Sequence, residues 1–374
     1  MADGGGFKVH FGAKTARLLG GEIERVHPGF DTTGYADEVE RLVEGRELKA
    51  RVAVMAEGLR TRLPEDYVTA VAILVACLGD ELAEGEGMFD KGWYLMPVAR
   101  FVEDYGLDEP EASIEALVEI TKRHTAEYAI RPYVEHHYEL TMGRLRELAD
   151  DSSHNVRRMV SEGLRPRLPW ATRLACFIAD PGPVLEIIER LRSDPSLYVR
   201  KSVANNLNDI AKDHPEQVVA TSRRWLVESP TAHTSWIVEH GLRTLIKRGH
   251  PGAIAVRWPT RDDQDVRVND FEITPAEIAV GGAVTLHLEL CNHDPAEHEV
   301  NVDYVIHHLR RDGTTHPRVF KLRKLRIGPG ERRAVEKIHR ITPVRTRTYN
   351  AGEHLVEIRV DGRVLAGATF RLTT

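Results

Sequence analysis

The chain has 374 residues, a formal net charge of −6, 42% hydrophobic and 29% charged residues, which is ordinary globular composition and too long for one core, so two domains are expected. Its three cysteines, Cys77, Cys176 and Cys291, stand far apart with no CxxC spacing, which excludes a disulfide framework and points to a reducing cytoplasm. No apolar run approaches the roughly 20 residues of a membrane helix and the start lacks a secretory apolar core, so no membrane association is expected.

In chain order, the Gly-rich start (1–21) reads as frayed or loosely docked. Helices are expected over about 37–59, where Val39, Leu42, Val43, Val52, Met55 and Leu59 are apolar, and over 67–78, which is apolar on nearly every side and so belongs in a core. Gly85-Glu86-Gly87 reads as a loop. Helical spacing resumes over 88–105 and over 111–127, where Pro132 should break or kink the second helix. Another helix follows His136-His137 to Leu148. Pro181-Gly182-Pro183 marks a turn between helices, two more run over 215–227 and 235–247, and Gly249-His250-Pro251-Gly252 ends the helical part. Roughly a dozen helices result.

Around 258–270 the apolar period changes from 3.6 to 2. The stretches 285–290 and 300–305 alternate as half-buried strands do. Gly281-Gly282, Asp312-Gly313, Gly328-Pro329-Gly330 and Asp361-Gly362 supply turns. About seven short strands suggest an immunoglobulin-like sandwich without a bridge between its sheets.

One stretch is repeated. Asp150 to Trp170 reads DDSSHNVRRMVSEGLRPRLPW, with Val156, Met159, Val160, Gly163 and Leu164 along one helical stripe and Arg158, Ser161, Glu162 and Arg165 on a face that packing is expected to leave free. Asp151, Ser152 and Ser153 can cap it. Forty-three residues on, Val199-Arg200-Lys201 falls on Val156-Arg157-Arg158, and 56–64 echoes 161–169. A period near 40 to 47 built from helix pairs is the mark of a HEAT-type solenoid. The fold expected is therefore mainly α: a right-handed α-solenoid of HEAT-like repeats over 1–257, then a smaller all-β immunoglobulin-like sandwich over 258–374. Although the chain is acidic, residues 157–201 hold nine Lys or Arg against five acids, and a local patch can bind phosphate because screening confines each charge to about 8–10 Å.

The words TAEYAIRPY (125–133), NVRRMVSEGLRPRLPW (155–170) and YVRKSVANNLNDIAKDHP (198–215) resemble, in order and spacing, those of the AlkC branch of the HEAT-like-repeat DNA alkylation repair glycosylases, over about residues 35–250. Some members of that branch carry a C-terminal immunoglobulin-like domain. The resemblance implies hydrolysis of the N-glycosidic bond of a cationic alkylated base, 3-methyladenine above all, with 3-methylcytosine and 1-methyladenine also in range, by a monomer that bends duplex DNA without flipping the base. It implies no cofactor and no metal. Carried over residue by residue, it places active-site carboxylates at Glu127, Glu162 and Asp209. Trp170 would contact the nucleoside, and Arg157, Arg158, Arg165, Arg167, Arg200, Lys201, Asn205 and Asn208 would hold DNA.

From the residues alone, blander readings stand beside these. Glu162 reads as a solvated helix position paired with Arg158 or Arg165, worth about 0.2–0.5 kcal/mol. Glu127 reads as the partner of Arg131 at i,i+4, Trp170 as core, and the cations as solvated ridges. Asp209 has support of its own, because Asn205, Asn206 and Asn208 before it are poor helix formers. Two other functions remain open at this stage: a HEAT scaffold that cleaves nothing, and a sensor that binds damaged DNA without excising the base. No GxxxxGK[ST] and no HExxH occurs, and the adjacent pairs His136-His137 and His307-His308 point apart, which argues against a shared metal.

Overall fold

A computed structural model describes residues 6–83, 91–257, 265–343 and 348–373. Among them sixteen α-helices run from Ala13–Val26 to Pro251–Arg257, followed by eight strands. None of these helices is long and apolar enough to cross a membrane. By contact the chain forms two compact units, one of residues 1–213 and 229–237, the other of residues 214–228 and 238–374. The loop expected at 85–87 and the domain boundary expected at 258 lie outside the described residues.

Helix pairs build the first unit, as the repeat requires. In His154–Gly163 the buried stripe is Val156, Met159, Val160 and Gly163; in Leu197–Ile210 it is Val199, Val203, Leu207 and Ile210. These two helices pack on each other, so each apolar stripe is covered by the next repeat.

Several expectations change here. From Gly6 onward the N-terminal segment is docked, with Thr15, Ala16, Leu19 and Ile23 of Ala13–Val26 buried. The all-round apolar helix, Tyr67–Ala76, buries only Ala70, Val71 and Leu74 and leaves Val68 44% exposed. The helix expected over 111–127 stops at Thr121, and Pro132 opens the next one, Arg131–His136, where a missing N–H costs nothing. A last helix, Pro251–Arg257, follows the glycines expected to end the helical part. At the start of His154–Gly163 no side chain caps the helix. Asp151 accepts from the Ser153 N–H at 2.7 Å instead, and the Ser153 hydroxyl turns to Glu81.

In the second unit the strands are β1 (Val266–Thr274), β2 (Glu277–Ala279), β3 (Ala283–Asn292), β4 (His298–Leu309), β5 (Thr315–Ile327), β6 (Arg332–Arg340), β7 (Gly352–Val360) and β8 (Arg363–Thr373). They form a three-stranded sheet, β1-β3-β6, and a five-stranded sheet, β2-β8-β7-β4-β5. Alternate residues of β3 and β4, including Leu286, Leu288, Val300, Val302 and Tyr304, share one core with Val356, Ile358 and Phe370. Cys291 is buried and free. The expected turns fall between strands. Asp361 and Gly362 both take positive φ, 45° and 82°, as a two-residue hairpin between β7 and β8 demands.

Candidate functional site

Glu127 sits in the turn between helices Pro110–Thr121 and Arg131–His136. That turn lies against Gly163 at the end of the Glu162 helix, where a Cβ would come within 2.6 Å of the Ile130 side chain. Glycine there lets the turn close over the helix. The closure makes a ladder of alternating charge. Arg158 donates to Thr125 Oγ1 at 2.7 Å and to Glu127 Oε2 at 2.9 Å; its other terminal nitrogen lies 3.7 Å from Glu162. Glu162 accepts from Arg165 at 2.6 Å and from the Ser202 hydroxyl at 2.7 Å. Arg165 Nε donates to Asp209 at 2.8 Å, and Lys212 donates to the other Asp209 oxygen at 2.8 Å.

The face expected to be free is therefore covered. Arg158, Ser161, Glu162 and Arg165 are all buried, as are Glu127 and Asp209, the last only 2% exposed. One flank is covered by the Glu127 turn; the other by Leu197–Ile210, docked through Asn206, which donates to the Ser161 carbonyl at 2.8 Å. Burial raises the Glu127 carboxyl above its ordinary value, with Arg158 pulling it down and Glu162 pushing it up. Burial also works against the Arg165 charge, but Glu162 and Asp209 outweigh it and hold the guanidinium charged. Ion pairs taken out of water recover little net stability, because each charge loses its hydration. Three carboxylates gathered this way are thus poorly explained by stability alone.

The basic residues divide. Arg157 binds both Asp194 carboxylate oxygens, at 2.6 and 3.1 Å, and the carbonyls of Asp151 and Ser152. Arg200 donates to the carbonyls of Asp194 and Pro195 and lies over the Trp236 ring. Both guanidiniums brace the turn that precedes their own helix, which neither the ridge nor the phosphate reading foresaw. Arg167 makes a two-pronged pair with Asp213 at 2.9 and 2.7 Å. Lys201 is exposed and Asn205 half-buried. Asn208 is buried beside Asp209, its Oδ1 without a hydrogen-bond partner among the described residues.

Trp170 is no core residue: it is 77% exposed, and its backbone holds a left-handed φ of 66°. Lys49, from helix Leu48–Arg60, donates to the Trp170 carbonyl and lies 5.5 Å over the Tyr128 ring, while the Tyr128 hydroxyl donates to the Pro169 carbonyl at 3.3 Å. This strap fixes the turn and leaves the indole in solvent. Sequence reasoning missed Lys49 and Ser202, which reach the site from other helices with no local signal. It also misplaced Arg131, which does not pair with Glu127. Arg131 donates to the carbonyls of Gly163 and Arg165, at 2.8 Å each, and to that of Thr172. A cation suits the Gly163 carbonyl at the end of its helix.

Fold and site together define a HEAT-like repeat protein with a buried carboxylate–guanidinium ladder, joined to an immunoglobulin-like sandwich. A family model described as the C-terminal Ig-like domain of the uncharacterised protein YhaZ matches residues 267–374. The chain is 33% identical over 352 residues to the uncharacterized protein YhaZ of Bacillus subtilis (strain 168), with 94% of each covered. A solved structure, Pseudomonas fluorescens alkylpurine DNA glycosylase AlkC bound to DNA containing an abasic site analog, matches with a TM-score of 0.81 and 34% identity over 98% of this chain and 99% of that one. The chain belongs to the AlkC-type HEAT-like-repeat DNA alkylation repair glycosylases, in the form that carries a C-terminal immunoglobulin-like domain.

Proposed function

We propose that the protein is a DNA glycosylase of alkylation repair that hydrolyses the N-glycosidic bond of cationic bases, 3-methyladenine first, with 3-methylcytosine and 1-methyladenine in range. One observation carries the reading: Glu127, Glu162 and Asp209 meet on a single buried ladder beside an exposed tryptophan. An N3-alkylated adenine already bears positive charge and leaves without a general acid. The sugar left behind resembles an oxocarbenium ion, as in glycoside hydrolysis. Fixed anions in a low-dielectric setting stabilise that charge and align a water, and their arginine partners keep them oriented. No amine nucleophile is needed, so the enzyme is monofunctional and needs no cofactor.

In this reading residues 1–257 form the DNA-binding and catalytic domain and 258–374 the sandwich. Trp170 meets the nucleoside from the DNA surface without a flipped base. Lys201, Arg167, Asn205 and Asn208 are the candidates for phosphate and sugar contact. Arg158 and Arg165 serve the carboxylates, and Arg157 and Arg200 hold the scaffold. The experiment is direct: incubate the purified chain with methylated duplex DNA and measure released 3-methyladenine. Release by wild type, abolished or slowed in Asp209→Asn, supports the reading. No release leaves a scaffold or a damage sensor, and the sensor still binds methylated DNA in preference to unmodified duplex.

A further inference from the structure

Glu127 and Trp170 face a second feature, a cleft of about 220 Å³ that Glu162 and Asp209 do not line. Leu48, Val52, Met96 and Ala99 give it an apolar wall, and Tyr128 and Trp170 add aromatic rings. Its ionisable lining is balanced: Lys49, Arg100 and Arg131 against Glu103, Glu127 and Glu135. The lining thus carries no excess of formal charge to select a cation or an anion. Its volume lies below the ~300–1,000 Å³ of drug-sized ligand sites, a size that suits a single heterocycle. Arg131 underlies the wall, only 4% exposed, with its terminal nitrogens bonded and its Nε–H without an acceptor among the described residues.

We infer that this cleft takes up the base after the glycosidic bond breaks, as a neutral methylated purine seated against Tyr128 and Trp170. The inference rests on the glycosylase reading. When the C–N bond of a cationic nucleoside cleaves, its electron pair stays with the base, so the positive charge passes to the sugar and the base departs uncharged. The two features divide those products by charge. The sugar cation belongs with the carboxylate ladder, and the uncharged heterocycle belongs in the apolar, ring-lined cleft, where an exocyclic amine can donate to a lining carboxylate. Such a site holds the freed base away from the sugar cation and slows recombination.

The test uses the full chain and free 3-methyladenine in equilibrium dialysis, with base release from methylated DNA measured alongside. Saturable binding is expected, one base per chain, with a dissociation constant on the order of 0.1–1 mM and product inhibition in the same range. Ala171→Trp, half-buried in the cleft lining, should weaken binding and inhibition by about tenfold or more. Thr172→Trp, exposed on the same lining, is the second obstructing variant should the first fail to fold. A folded variant that binds the base as well as wild type overturns the cleft assignment. So does a wild-type chain that excises base from DNA yet shows no saturable binding of the free base. A wild-type chain that excises nothing overturns the glycosylase reading, and the cleft's role with it.

Discussion

Two helices that share a sequence word do different work. Arg157 and Arg200 stand 43 residues apart and share two backbone bonds: each reaches back to the carbonyls six and five positions earlier. Asp151 and Asp194 likewise accept from the backbone N–H two residues on. One position later the likeness ends. Arg158 is buried between Glu127 and Glu162, whereas its counterpart Lys201 is exposed. What repeats is the brace that sets helix against helix; the site forms where the repeats diverge.

That contrast can be broken by mutation, and the largest effect is expected at Arg158. Arg158→Met leaves Glu127 and Glu162 buried without their shared cation and should cost about 3–5 kcal/mol in denaturant melts. The deficit should depend on pH. Because burial holds Glu127 above its unfolded value of 4.5, its favourable contribution is complete below that value and is lost as pH rises through the folded one. Removing Arg158, which pulls Glu127 down, should therefore hurt little in acid and more with each step upward. A pH-independent deficit would mean that Arg158, whose guanidinium lies 5.0 Å over the Tyr198 ring, acts through packing there rather than through its bonds to the carboxylates.

Next in size, Asp209→Asn should slow base release in single-turnover assays by about 10²–10³-fold, the scale for removing one fixed electrostatic stabiliser from a transition state. Full activity in this variant would sink the assignment of the ladder as the reacting centre. Arg157→Met and Arg200→Met should each cost about 1–3 kcal/mol of stability, with base release by the folded protein unchanged. The double variant should be non-additive, because both side chains bind Asp194. A selective loss of DNA affinity in either would return that residue to the interface. The smallest effect belongs to Lys201→Gln: weaker DNA binding by a few-fold, with the slope of log affinity against log salt reduced by about 0.9. An unchanged slope would remove Lys201 from the phosphate contacts.

Much of this was readable from the chain. The helical stripe at 156–164, the 43-residue period and the paired glycine and Asp-Gly turns gave the two-part architecture, because periodicity is local and a repeat's apolar face has only its neighbour to pack on. The words around Glu127, Glu162 and Asp209 named the carboxylates, and the structure brings all three together. What stayed hidden was burial. A polar helix face looks the same in sequence whether water or another helix covers it, so Arg158, Glu162 and Arg165 read as surface until the 122–130 segment and Leu197–Ile210 closed over them.

Local chemistry therefore set most of the elements and their order, since propensity and periodic apolar side chains act over a few residues, while the acids were picked out by the resemblance of the words around them. Pairing was decided in three dimensions alone. Nothing near Glu127 in the chain announces that its cation comes from Arg158, that Glu162 accepts from Ser202, or that Lys49 ties down the turn bearing Trp170. Those partners lie 31, 40 and 121 residues away, and only the stacking of successive helices brings them within hydrogen-bonding distance.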